Sequence, residues 1–182
     1  LLEAAGPDHA FDVGMHMIWG DGHLWLSTRV WAPAGSEILR LTEAGELTGS
    51  LPLADGPLHY DADGLWVLHA GAVHNILWSG DALIVDHSVL FEGDLELHSP
   101  AALTRTGDGR FWALDSLHEQ LLVIGAGGAE LARWYGGGGS PQDDHLGAID
   151  LGRNLAVLPG GDVVVLDTEG AGLVRFSGTL LD

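Results

Sequence analysis

One short pattern recurs along this chain and dictates most of what it can become. Gly20-Asp21-Gly22-His23-Leu24-Trp25-Leu26-Ser27 returns as Ala62-Asp63-Gly64-Leu65-Trp66-Val67-Leu68-His69, and again as Gly107-Asp108-Gly109-Arg110-Phe111-Trp112-Ala113-Leu114-Asp115. A fourth copy, Gly160-Gly161-Asp162-Val163-Val164-Val165-Leu166-Asp167, exchanges Asp-Gly for Gly-Asp and Trp for Val. Asp21, Asp63 and Asp108 stand 42 and 45 residues apart, and the step to Gly161 is stretched by a Gly-rich insertion at 136–141. Asp-Gly supplies the positive-φ positions of a tight hairpin turn, and the apolar run behind it reads as a buried strand. Each copy continues with a further strand, at 38–41, 75–78, 120–124 and 172–176, then a small turn and a third strand such as 131–135. One more apolar run precedes every turn, at 13–19, 57–60, 100–106 and 154–158.

Four short strands in each roughly 40–50 residues is the blade period of a β-propeller. The expected fold is therefore all-β, a propeller of about four four-stranded blades forming one domain over 1–182. Counted from the turns, the blades run 20–61, 62–106, 107–158 and 159–182, with an N-terminal strand at 13–19. The pattern Pro100-Ala101-Ala102-Leu103-Thr104-Arg105, then Asp108 to Asp115, then Gln120-Leu121-Leu122-Val123 resembles the NHL repeat, as does Asn154 to Asp167. The resemblance covers nearly the whole chain from about Asp12. The first two copies depart from it, carrying Ser27 and His69 where the later ones carry Asp115 and Asp167. NHL-like propellers usually close with six blades, which needs roughly 250 residues at this period. Two arrangements stay open: a four-bladed ring closed by the strand at 13–19, or a part of a larger propeller.

Composition narrows the chemistry. All seven basic residues are Arg against 26 Asp and Glu, a formal net charge of −19, and Cys is absent. Without Cys or Lys there is no thiolate nucleophile, disulfide, zinc–thiolate site, Schiff base or phosphate-loop lysine. Nucleic acid is excluded as a partner, because phosphate binding needs a basic footprint. No apolar run reaches the roughly 18–20 residues of a membrane-spanning helix.

Trp25, Trp66 and Trp112 share one repeat position and are expected to pack between blades. Trp19, Trp31, Trp78 and Trp134 do not, and Trp31 and Trp134 are candidate exposed anchors for a partner, joined by His145 in the longest insertion. The inner strands of a propeller line its channel, so residues on or beside them could converge on a divalent cation such as calcium or zinc. His16, His59 and His98 are the candidate metal ligands, with Asp12, Asp61, Asp150 and Asn154 nearby in the same frame. Three tempting motifs fail. His118-Glu119 lacks the second His of a zincin, Asp61-Ala62-Asp63-Gly64 has its Gly too early for a calcium loop, and no Gly-x-Ser-x-Gly occurs. Arg40 and Arg175 are expected to face solvent or a neighbouring carboxylate.

These readings lead first to a non-catalytic protein-binding or scaffold module, which is how NHL-like propellers are widely used. Its partner would be a protein, and it would serve as a subunit of a larger assembly; the acidic charge favours a basic or cation-bridged surface. The alternative is a divalent-metal-dependent hydrolase or lyase with its site in the channel, as the more distant likeness to senescence-marker/gluconolactonase-type propellers implies. Glu3, Asp12, Asn154 and Asp167 are the nearest counterparts to that family's ligands. A sugar-binding propeller rests on Trp and Asp abundance alone.

Overall fold

The first Asp-Gly turn shows how the sequence begins each sheet. Asp21 and Gly22 both adopt positive φ, 52° and 69°, and join β1 (His16–Gly20) to β2 (His23–Thr28) in a two-residue hairpin whose twist suits the strands. The sheet continues through β3 (Glu37–Leu41) to β4 (Leu47–Pro52) in the order β1-β2-β3-β4, all antiparallel. The structure, a computed structural model, describes residues 16–28, 36–53, 56–93, 95, 97–135, 152–167 and 172–177.

The same meander repeats. β5 (Leu58–Asp61), β6 (Gly64–His69), β7 (Ala72–Ser79) and β8 (Ala82–Leu90) form the second sheet. β9 (Pro100–Arg105), β10 (Phe111–Asp115), β11 (Gln120–Ile124) and β12 (Glu130–Tyr135) form the third. β13 (Gly152–Val157), β14 (Val163–Asp167) and β15 (Gly172–Phe176) are the described strands of the fourth. Hydrogen bonding starts each sheet one strand before the turn, so the sheets span 16–52, 58–90, 100–135 and 152–176. The run at 13–19 thus contributes the first strand of the first sheet through its described residues 16–19.

The chain divides into two compact units, 1–69 with 73–88, and 70–72 with 89–182. In the first, Trp25 and Ile38 of one sheet pack with Leu58, Leu65, Val67, Ile76 and Leu83 of the next, and Tyr60 stacks on Trp25. In the second, Trp112, Leu114, Leu121 and Val123 pack with Leu155, Val163, Val165 and Phe176. The second and third strands are the most deeply buried; every residue of β10 and β11 is buried, as expected of strands covered on both faces.

One side chain differs from the sequence expectation, and a second meets it by its carboxylate alternative. Arg40 is paired with a neighbouring carboxylate, Asp21, rather than facing solvent. It is only 8% exposed, with its guanidinium over the rings of Trp25 and Trp78 and Asp21 beside it, because the flat cation covers aromatic faces well. Trp134, expected as an exposed anchor, is half-buried, stacked on Trp112 at 5.7 Å and packed on Phe176 at 5.2 Å. Arg175 is exposed and paired with Asp162, as expected.

A five-residue loop recurs at 42–46, 106–110, 125–129 and 158–162. In each the first residue's N–H bonds the fifth carbonyl, and the fourth N–H bonds the first carbonyl. The fourth position is always Gly at positive φ, the left-handed conformation that closes this loop. A Cβ on Gly109 would meet nothing nearer than 3.5 Å, whereas one on Gly128 would sit 1.9 Å from the Leu90 carbonyl oxygen. Gly109→Ala should therefore cost about 1–2 kcal/mol for backbone strain alone. Gly128→Ala should cost clearly more, since the loop must also release its contact with Leu90. Urea denaturation of the two variants checks this order; equal losses would contradict it.

Candidate functional site

The densest polar cluster among the described residues gathers on Asp115, the acid that ends the third copy of the repeat. A register shift between Leu114 and Asp115 turns the carboxylate toward the segment leading into β9. Its Oδ2 accepts the His98 backbone N–H at 2.9 Å, His118 Nδ1 at 3.0 Å and Gln120 Nε2 at 3.2 Å. Its Oδ1 accepts the backbone N–H groups of Ser99 at 3.1 Å and Leu117 at 3.0 Å. Ser116 completes the clip, its N–H and Oγ both donating to the Ser99 carbonyl. The network runs outward through Gln120 Oε1, which accepts Arg133 Nη1 at 3.1 Å, to the Arg133–Glu130 ion pair.

Burial by itself raises the Asp115 pKa, but the donors of His98, His118, Ser99 and Leu117 outweigh it and hold the carboxyl at about 2. Asp108 is likewise held at about 2, first by Arg110 and against the opposing effect of burial, with Thr106 adding a second donor. Burial lowers the His74 pKa, and the neighbouring His69 adds to this, favouring its neutral form.

His98, Asp115 and His118 form the single group of three among the described residues whose ligand atoms all lie within 4.8 Å of one another. The two imidazoles meet edge to face at 4.4 Å. His118 Nδ1 lies 3.0 Å from Asp115 Oδ2, the kind of pairing by which carboxylates orient metal-binding histidines. The donor set suits a nitrogen-preferring ion such as zinc. It does not suit calcium, because both carboxylate oxygens are occupied by N–H donors.

The residues expected to bind a metal are therefore not brought together as foreseen. His98 belongs to the cluster, but its partners come from its own sheet. His16 lies half-buried on β1, and His59 lies half-buried on β5 with Nε2 3.7 Å from the Asp61 carboxylate; neither joins it. Asp61 accepts the Trp66 indole and the Asp63 N–H, and Asn154 accepts the Leu155 N–H, so both cap local backbone. Trp31, His145, Asp12 and Asp150 lie outside the described residues, as does Glu3. Among the remaining tryptophans, Trp19 is 54% exposed and Trp78 lies at the surface against Arg40. His118 was missed as a partner of His98; the readable signal was its place three residues after the repeat's terminal Asp, where a turn returns it to that carboxylate.

No family model matches this sequence, and no curated protein matches it. Solved structures do match. The chain is similar over 96% of its length to a protein of unknown function from Bacteroides caccae, at 13% identity and a TM-score of 0.61. It is similar over 88% to virginiamycin B lyase from Staphylococcus aureus, at 16% identity and a TM-score of 0.55. A streptogramin B lyase structure matches over 88%, at 12% identity and a TM-score of 0.53. The fold is a β-propeller. At these identities the likeness concerns the fold alone. The propeller described here spans 61%, 54% and 53% of those chains respectively.

Removing the buried Asp115 carboxylate leaves five donors without their acceptor, one of them, Gln120, in a buried bond and four in part-buried ones, so Asp115→Ala should lose roughly 3 kcal/mol of stability. The folded pKa lies below the ordinary 3.8, so the carboxylate stabilises the fold fully above about pH 4, and this contribution fades as pH falls toward 2. Denaturation of the wild type between pH 5 and 2 should show a steeper loss than that of Asp115→Ala. Parallel pH profiles would contradict the assignment.

Proposed function

We propose that this chain is a non-catalytic protein-binding or scaffold module built on an NHL-like propeller, acting within a larger assembly. The observation that supports it most is β8. Among the described residues it is the longest strand, at nine residues, and its outer edge meets no further strand. All but two of its side chains are exposed, Ile84, Val85 and Leu90 among them, and it holds neither Lys nor Pro. Such an edge offers a row of backbone donors and acceptors to which an extended segment of a partner can add as a further strand. The charge of −19 and the exposed Asp86 favour a basic segment.

The second reading, a divalent-metal-dependent hydrolase or lyase, is favoured by the His98–Asp115–His118 cluster. Against it stands the occupation of Asp115, which serves the backbone of its own sheet.

The probe is a labelled octapeptide of alternating Lys and Val, followed by fluorescence anisotropy. Successive residues of a strand direct their N–H groups to opposite edges, so of Ile84→Pro and Val85→Pro one removes an outward donor and leaves the sheet paired. Saturable binding that weakens with salt and disappears in the variant that stays folded is the expected result. Absence of binding at low salt, or unchanged binding in that variant, would overturn the reading. A stoichiometric zinc ion that survives dialysis and is lost in His118→Ala would favour the second reading instead.

A further inference from the structure

Two imidazoles and a carboxylate meet where the third sheet begins, and the backbone puts them there. His98 lies two residues before β9, whose first residue, Pro100, pairs with Asp115 at the end of β10. The turn 116–119 then reverses the chain into β11, with Glu119 at a φ of 48°, and brings His118 back to the Asp115 carboxylate. The Ser116 N–H donates to the Ser99 carbonyl at 3.0 Å and joins the approach to β9 to that turn. The two histidines thus stand side by side, their rings edge to face with centres 4.4 Å apart. Both are exposed, whereas Asp115 is buried.

Two imidazoles on one zinc ion, each ring nitrogen about 2 Å from the metal, have centres roughly 5 Å apart. A small rotation of exposed side chains takes the observed rings to that spacing, and one ligand atom of each of the three residues already lies within 4.8 Å of the others. The part that must stay still is Asp115, which five donors hold. Those donors occupy both carboxylate oxygens, so the carboxylate is left to orient His118 rather than to bind the ion. His69 and His74 differ on both counts. Their ring centres are 6.3 Å apart, and His74 Nδ1 meets the Ser88 hydroxyl at 2.7 Å instead of a carboxylate.

We propose that His98 and His118 bind one divalent ion of the zinc class, each through one ring nitrogen, with Asp115 as the positioning residue. Asp115 takes the Nδ1–H of His118 and leaves the other nitrogen of that ring for the ion. Imidazole ligands select zinc, nickel or copper over calcium and magnesium, which need oxygen. The charge of −19 draws cations to the surface. Two protein ligands leave the remaining positions to water, so the ion exchanges with solution, unlike the resident ion that the second reading requires. When bound, it ties the approach to β9 to the β10–β11 turn a second time, beside the Ser99–Ser116 clip. The site shares no residue with β8, so it stands or falls separately from the edge-docking reading.

The test adds zinc chloride to the full chain and follows the histidine ring nitrogens by ¹⁵N-resolved NMR slightly above neutral pH. The rings of His98 and His118, assigned by their loss in His98→Ala and His118→Ala, should shift saturably at one ion per chain. Those of His69 and His74 should stay in place. Either alanine variant changes an exposed side chain, so it should keep the fold and lose the saturable shift of the remaining ring. Unmoved rings, saturable binding that survives in either variant, or one ion per two chains would overturn the proposal. A calcium response equal to that of zinc would overturn it as well. Before zinc is added, His118 should show the tautomer protonated at Nδ1, and Asp115→Asn should weaken zinc binding about tenfold. The opposite tautomer, or unchanged affinity in that variant, would remove Asp115 from its positioning role.

Discussion

Everything else in this molecule depends on the burial of the middle strands. β10 and β11 are buried throughout, and β6 is buried over its four central residues. A strand buried on both faces cannot be satisfied by one sheet; it needs a second sheet stacked on it. That requirement explains the tryptophans of the second strand in the first and third sheets, where Trp25 packs against the second sheet and Trp112 against the fourth. A large flat side chain on the second strand fills the space between stacked sheets better than any aliphatic residue. The Trp112–Trp134–Phe176 stack shows the consequence, since it draws Trp134 out of the role a surface aromatic would have had.

Several polar groups at strand ends and edges then have structural work. Asp115 gathers five donors and ties the approach to β9 to the β10–β11 hairpin. Asp61 and Asp108 organise the turns before the Trp-bearing strands, and Arg40 closes a surface between two indoles. Carboxylates so occupied hold a fold together.

The architecture was legible in the sequence because it rests on local rules repeated four times. Asp21-Gly22 announced a two-residue hairpin and formed one, and the apolar runs fell on the expected strands. The turns were not all alike, however. The pair Ala62-Asp63 carries the second turn, and the third opens into five residues. One Asp-Gly spelling fits several loop lengths, so the wider third turn was hidden. The metal candidates were brought together only in part, for another reason. His16, His59 and His98 were grouped because all lie on or before inner strands, whereas the contacts of His98 are set by a register shift at Asp115 and a turn that returns His118. Neither has a mark in the sequence beyond the three-residue spacing.

Amide hydrogen exchange, read strand by strand on the intact chain, tests the central claim that buried middle strands carry the fold and the β8 edge stays open. The amides of β10 and β11 should exchange only through global unfolding, while the outward amides of β8 exchange orders of magnitude faster. Protection of the β8 edge equal to that of β10 would mean that the edge is already paired, and would contradict the account.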